Sequence, residues 1–215
     1  SPVPGTGSTI TFGLQTAAGS YTAVAVNATT GCVRNMSGSA LVVINPLPTS
    51  YAVTGGGGYC AGGTGVSVGL GNSNPGISYQ LMNSGGPVGS PIAGTGSALS
   101  YGSMTTAGTY TILATNPTTG CQNTMSGSAV VNINPLPTPY TVTGGGNYCL
   151  GGSGVPVGLF TTTVGVNYQL YRGATAVGAA VPGTGSESSS GAQAMSVDHA
   201  VRGTITKTGC TSNML

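Results

Sequence analysis

An 89-residue step carries this chain onto itself, and a chain that repeats with such a period has to fold as tandem copies of one unit. Cys32, Cys121 and Cys210 lie one period apart. So do Cys60 and Cys149, then Met36, Met125 and Met214, and the Gly-Thr-Gly triplets that begin at Gly5, Gly94 and Gly183. From Cys32 to Cys60, CVRNMSGSALVVINPLPTSYAVTGGGGYC lies without a gap over CQNTMSGSAVVNINPLPTPYTVTGGGNYC, with 21 of 29 positions identical. The period is too long for one turn of a solenoid and suits a small independent β domain.

Within a period, short apolar alternations are separated by turn residues. In the central copy they are YAVTG (51 to 55), GVSVGL (65 to 70), ISYQLM (77 to 82), SALSYG (97 to 102), GTYTILATN (108 to 116) and SAVVNIN (128 to 134). Tyr110, Ile112 and Ala114 share one face of GTYTILATN, and Thr109, Thr111 and Thr115 fall on the other, which is the period-2 pattern of a half-buried strand. Gly or Pro interrupts every window that a helix would need. The fold class is therefore all-β: tandem immunoglobulin-like β-sandwich domains joined by short Pro-rich linkers, with a Greek-key barrel as the lesser alternative.

The joints are marked by proline. Ile44-Asn45-Pro46-Leu47-Pro48-Thr49 recurs as Ile133-Asn134-Pro135-Leu136-Pro137-Thr138, each time directly after the last strand of a copy. Proline fixes φ, removes a backbone donor and holds the residue before it extended, so the linker is expected to be short and semi-rigid. Residues 1–48 then form the C-terminal part of a repeat, 49–137 a complete repeat, and 138–215 a repeat without its last strand. A half sandwich cannot bury its core. The missing strands are expected either from a longer polypeptide or from a neighbouring chain that donates a strand.

Composition narrows the function classes. Charged residues make up 3% of the chain, Gly supplies 40 residues, yet 39% are hydrophobic, which argues for packed sheet with Gly-rich turns rather than disorder. A net charge of +2 without clustered Lys or Arg argues against nucleic acid as a partner. No apolar run approaches the ~20 residues of a membrane span, so membrane insertion is not expected.

Five cysteines without a CxxC pair, beside a single His, argue against zinc and for disulfides. Two pairings respect the period: Cys60 with Cys121 and Cys149 with Cys210, or Cys32 with Cys60 and Cys121 with Cys149. The first keeps each staple inside a Pro-bounded unit and is the expected one, worth roughly 4 kcal/mol per staple in the chain-entropy account. It leaves Cys32 unpaired. Stable disulfides imply an oxidising, extracytoplasmic setting, so the expected location is extracellular or at the cell surface.

The strings YxVTGGGxYCxGGxGVxVGL, ISYQL or VNYQL, GTGSALSYG, AGTYTILATNPTTGC and MSGSAVVxINPLP resemble the immunoglobulin-like repeats of very long secreted surface proteins of Bacteroidota, the gliding and adhesion proteins exported by the type IX system. The similarity runs to about Gly185. The resemblance implies export, a surface location and an adhesive or filament-forming role, and it supplies no active site, because such modules are spacers in one protein and binding heads in another.

A search for chemistry agrees with that. Glu187, Asp198 and His199 are the only Glu, Asp and His residues of the chain. Paired carboxylates for glycoside hydrolysis would have to be Glu187 and Asp198. Adjacent strand residues point to opposite faces, so Asp198 is poorly placed to orient the imidazole of His199. Two carboxylates cannot build a calcium cage. The runs at Gly55 to Gly58 and Gly144 to Gly146 lack the GK[ST] of a phosphate loop and read as flexible turns before a disulfide. No catalytic, cofactor or metal site is expected.

Weaker features have ordinary readings. Asn27-Ala28-Thr29 and Asn35-Met36-Ser37 fit a glycosylation acceptor but read as polar turns. Tyr79 and Tyr168 read as core tyrosines, exposed Tyr171 beside Arg172 as the better ligand candidate, and Thr161-Thr162-Thr163 as a loop too short for an ice-binding array.

After Gly185 the third copy departs from the pattern. Leu99 and Tyr101 become Ser188 and Ser190, and GTYTILAT becomes VDHAVRGT (197 to 204), where Asp198, His199 and Arg202 would be costly in a core. An almost uncharged surface lets neighbouring domains pack without repulsion. The expected function is a structural, adhesive extracellular protein, a repeat segment of an adhesin stalk or filament whose partners are like subunits or neighbouring repeats. The alternative is a carbohydrate-binding module array of a secreted enzyme, with surface glycans as partners.

Overall fold

With Gly and Pro breaking every helical window, the described residues fold as β-strands and the turns and loops between them. The computed structural model describes residues 2–194 and 198–215, and no helix occurs among them. Val197 of the expected strand VDHAVRGT lies outside the described residues.

Residues 2–48 contribute two small antiparallel pairs: β1 (Gly19–Tyr21) with β4 (Ala40–Val42), and β2 (Val24–Val26) with β3 (Val33–Asn35). One period downstream the same positions become buried core. Met125 is 2% exposed where its counterpart Met36 is 43% exposed, because the strands that cover Met125 have no counterpart in residues 2–48.

The central copy is a two-sheet sandwich built from β5 (Val53–Gly55), β6 (Gly57–Cys60), β7 (Val66–Leu70), β8 (Ser78–Asn83), β9 (Gly86–Ala93), β10 (Leu99–Met104), β11 (Gly108–Thr115), β12 (Gln122–Thr124) and β13 (Ala129–Asn134). One sheet has the order β10-β7-β5. The other has the order β6-β13-β11-β8-β9, with β12 paired to β11. Tyr110, Ile112 and Ala114 of β11 are buried as their alternation predicts, and they pack with Val68, Leu70, Tyr79, Leu81, Leu99, Met125, Ala129 and Val131 in one core.

Three strands escape the sequence reading. The edge strand β9 contains Pro87 and Pro91, which look like loop residues but are tolerated where one flank of the strand has no partner. β12 has three residues, too few for a pattern. β6 is the Gly run itself.

That run is not a flexible turn, and here the structure corrects the sequence expectation. β5 pairs antiparallel with β7 in one sheet, and β6 pairs in parallel with β13 in the other, so the chain changes sheets across Gly55-Gly56. Gly55 has φ +90 and Gly56 φ +84. A Cβ on Gly55 would overlap the Ser67 carbonyl, and one on Gly56 would lie 2.7 Å from Val130 O. Positive φ and close backbone approach on both sides leave room for glycine alone.

The C-terminal copy repeats the plan with β14 (Val142–Gly144), β15 (Val155–Leu159), β16 (Val166–Arg172), β17 (Thr175–Pro182), β18 (Ser188–Gln193), β19 (His199–Ile205) and β20 (Thr211–Asn213). Its sheets are β14-β15-β18 and β17-β16-β19-β20. Val157, Leu159, Val166, Tyr168, Leu170 and Val201 form the core. Gly144 repeats the close approach of Gly55, now against the Pro156 carbonyl, at φ +90.

The Gly-Thr-Gly triplet also has a packing cause. A Cβ on Gly94 would overlap Asn74 O, and one on Gly183 would overlap Thr163 O. Beside each, a buried hydroxyl ties two loops: Ser73 Oγ donates to Ser97 O at 2.6 Å and accepts from Thr95 N, and Thr162 Oγ1 donates to Ser186 O at 2.7 Å and accepts from Thr184 N. Thr162, read from sequence as part of a Thr-rich loop, is 3% exposed and anchors the sandwich end.

Candidate functional site

The joint between the central and C-terminal sandwiches carries the most organised chemistry of the chain. β13 leads into Pro135-Leu136-Pro137, and Pro137 is buried against the next sandwich beside Gly203. At the end of β13, Asn134 lies opposite Cys60 of β6, and Ala61 N donates to Asn134 O at 2.8 Å. Cys60 forms a disulfide with Cys210, Cα to Cα 5.5 Å, across a sequence separation of 150 residues.

This bond overturns the expected pairing of Cys60 with Cys121 and of Cys149 with Cys210. Cys32, Cys121 and Cys149 are free thiols. The reason is the direction of the strands. β6 runs parallel to β13, and β13 antiparallel to β11, so Gly57 sits level with the start of β11 and Cys60 lies beyond it, away from Cys121. Cys121 follows the end of β11. Eight residues of strand at ~3.4 Å each place the two cysteines roughly 25 Å apart, whereas a disulfide needs Cα atoms within ~7 Å. Cys210 is taken by Cys60, which leaves Cys149 without it, and the alternative pairs Cys32–Cys60 and Cys121–Cys149 do not form either. Cys60 and Cys210 were both expected in disulfides, but the partner of Cys60 is one sandwich further along, and Cys121 and Cys149, expected in the same bonds, are free.

The joint before the central sandwich is built the same way. Pro48 is buried, Asn123 Nδ2 donates to Pro48 O at 2.8 Å, and the Cys121 thiol lies 3.9 Å from Asn45 O, the counterpart of Asn134 O. The cysteine is presented by a stiff turn. Asn116 Oδ1 accepts from Thr118 N and Thr119 N, Asn116 N donates to Cys121 O at 2.9 Å, and Gly120 N donates to Asn116 O at 2.8 Å. Asn27 organises the identical turn before Cys32, accepting from Thr29 N and Thr30 N, so its side chain has a structural task in the Asn27-Ala28-Thr29 triplet.

The tyrosines are committed to the cores and loops. Tyr79 and Tyr168 accept from Asn74 N and Thr163 N through their hydroxyls, each at 2.9 Å. Tyr110 donates to Thr106 O at 2.8 Å, and Tyr21 repeats the contact to Ala17 O at 2.9 Å. Tyr101 donates to Tyr79 O at 3.0 Å, and burial pushes its pKa up to about 12.

The charged residues of the third copy do not enter the core. Asp198 and Arg202 are exposed, His199 is half-buried, and the core-facing positions of β19 are Val201 and Gly203. The Arg202 guanidinium stacks 4.6 Å from the centre of the Tyr171 ring. Tyr171, expected as an exposed ligand residue, is half-buried under that contact. Glu187 lies in the β17–β18 loop. Among the described residues no three His, Cys, Asp or Glu side chains cluster in a way that would hold a metal ion, and no helix is long and apolar enough to cross a membrane.

Comparison of the chain with protein-family models and with curated proteins finds no match.

Proposed function

We propose that the chain is a segment of an extracellular structural array, an adhesin stalk or filament of disulfide-stapled immunoglobulin-like repeats. The observation that carries this reading is the Cys60–Cys210 bond, which ties one sandwich to the next beside a buried Pro linker. A covalent bond across a joint has little use in a module that acts alone. It restrains bending and keeps neighbours together if the linker is cut or pulled.

Other features support the reading. The resemblance to surface repeats of Bacteroidota points to export, and a disulfide of 150-residue span suits an oxidising compartment. The topology of the central sandwich suits an immunoglobulin-like unit: a first strand shared between sheets, and a Tyr at the start of β11 whose hydroxyl bonds four residues upstream. With 3% charged residues, adjacent units meet without repulsion. The carbohydrate-binding alternative calls for a flat aromatic platform, and Tyr79, Tyr110 and Tyr168 are instead buried in the cores.

Electron microscopy of the native particle, with surface labelling of intact cells, tests the proposal. Thin particles many units long on the cell exterior are the expected result. A compact single-unit particle retained inside the cell would overturn it.

A further inference from the structure

We propose that Cys60–Cys210 is one rung of a ladder, in which the cysteine ending the β6 segment of every repeat bonds the turn cysteine of the following repeat. Cys149 is then the open half of the next rung, and its partner is the turn cysteine of a further copy of this repeat, 150 residues downstream by the spacing of the rung already formed. Cys121 and Cys32 are turn halves whose partners are β6-type cysteines of preceding copies. The inference rests on the tandem-array reading and adds to it how the units are joined.

Period alone does not carry this, because any pairing shifted by 89 residues respects it. Three structural correspondences do. Cys149 is already held in the frame of Cys60. Gly152 N donates to Cys149 O at 2.8 Å as Gly63 N donates to Cys60 O at 2.9 Å, and Tyr148 reaches Ala194 O as Tyr59 reaches Thr105 O. Cys121 stands at the corresponding place in the preceding joint, its thiol against Asn45 O, on a turn whose Thr-Gly-Cys end and backbone bonding repeat: Gly209 N donates to Ile205 O at 2.8 Å, as Gly120 N does to Asn116 O. Within each type of cysteine the bonded one is the more buried: Cys210 is 0% exposed where the unbonded Cys121 is half-buried and Cys32 exposed, and Cys60 is half-buried where the unbonded Cys149 is exposed.

Closing a rung is an oxidation. The Cys149 thiolate attacks a disulfide-form oxidant, glutathione disulfide or a protein dithiol–disulfide carrier, and one thiolate leaves. The turn thiolate of the next repeat then displaces the second sulfur. Two thiols lose two protons and two electrons, and the oxidant departs as two thiols. The stiff turn and the buried Pro linker bring the second thiol within reach, so the joint closes in preference to a bond between remote cysteines.

The test extends the full chain, in phase, by a second copy of residues 127–215. This places a copy of Cys210 at the spacing that separates Cys60 from Cys210. After oxidation in a glutathione redox buffer, non-reducing peptide mapping is expected to recover Cys149 joined to the added copy of Cys210, with Cys60 still joined to the original one. In a Cys149→Ser variant of the same extended chain, the added copy of Cys210 is expected to react with a maleimide while Cys60 and the original Cys210 do not. The ladder is overturned if Cys149 is recovered bonded to the original Cys210, or if it stays reduced while Cys60–Cys210 forms. The second result leaves the array reading standing, whereas the first also removes the bond between sandwiches that carries it. That reading fails separately, if the extended chain gives independent, unjoined sandwiches with neither bond.

Discussion

The hydroxyl of Tyr101, on β10, donates to the carbonyl of Tyr79, on β8, at 3.0 Å, so one side chain spans the two sheets of the central sandwich. Burial, and secondarily the neighbouring Tyr79, hold the Tyr101 hydroxyl protonated to about pH 12, above the ordinary value of 10.0. An acid whose pKa is raised by folding stabilises the fold fully below its unfolded pKa. The contribution is then lost between pH 10 and pH 12, as the unfolded chain ionises first. Chemical denaturation across this window should show falling stability, and Tyr101→Phe should flatten the fall. An unchanged slope in the variant would assign the alkaline loss to other groups.

Gly55→Ala should destabilise the central sandwich, because it combines φ +90 with an overlap on the Ser67 carbonyl. A strained left-handed residue costs of order 1–3 kcal/mol before the clash is added. Gly62→Ala, at φ +79 with nothing within 4 Å, isolates the conformational part. Thermal melts should therefore rank wild type above Gly62→Ala, and Gly62→Ala above Gly55→Ala. Equal melts for the two variants would remove the close approach as a cause.

Ser188→Leu should stabilise the C-terminal sandwich. Ser188 faces Leu159 across β15 and β18, as Leu99 faces Leu70 in the central copy, where Leu99 is 7% exposed. Burying a leucine side chain contributes about 1.5–3 kcal/mol. The C-terminal sandwich, poorer in large core residues, should melt first, and Ser188→Leu should raise that lower transition alone. A rise in the upper transition instead would show that the two transitions were assigned in reverse.

Cys60→Ser should match the reduced wild type in urea unfolding. Closing a loop of about 150 residues is worth up to roughly 5 kcal/mol in the chain-entropy account, the full amount appearing only if both sandwiches unfold together. A shift near that bound would show the joint to be cooperative, and a shift near zero would show two sandwiches that unfold independently beside an intact staple.

The β-class, the strands of the repeat and the buried face of β11 were legible in the residues, because Val, Ile, Leu and Tyr alternate with polar positions and Gly or Pro stops each run. The strands that escaped were those whose residues resemble turns: Pro87 and Pro91 in an edge strand, and Gly57 and Gly58 in β6. What suits them to strands is the neighbour they have or lack, and a sequence does not display its neighbours. Asp198 and Arg202 looked like charges in a core strand for the same reason, since only the register of β19 against β16 shows which residues point outward.

The disulfide marks the boundary between the two kinds of information. An 89-residue period determines that equivalent cysteines recur from copy to copy, and five cysteines without a CxxC pair point to disulfides. The period cannot say which copies are joined, since every candidate pairing is carried into an equivalent one by the same shift. Only the tertiary structure decides that. The parallel pairing of β6 with β13 puts Cys60 at the end of the sandwich that receives the linker, and the buried Pro137 holds the next sandwich close, so the cysteine within bonding distance is Cys210 of the neighbouring unit rather than Cys121 at the far end of its own.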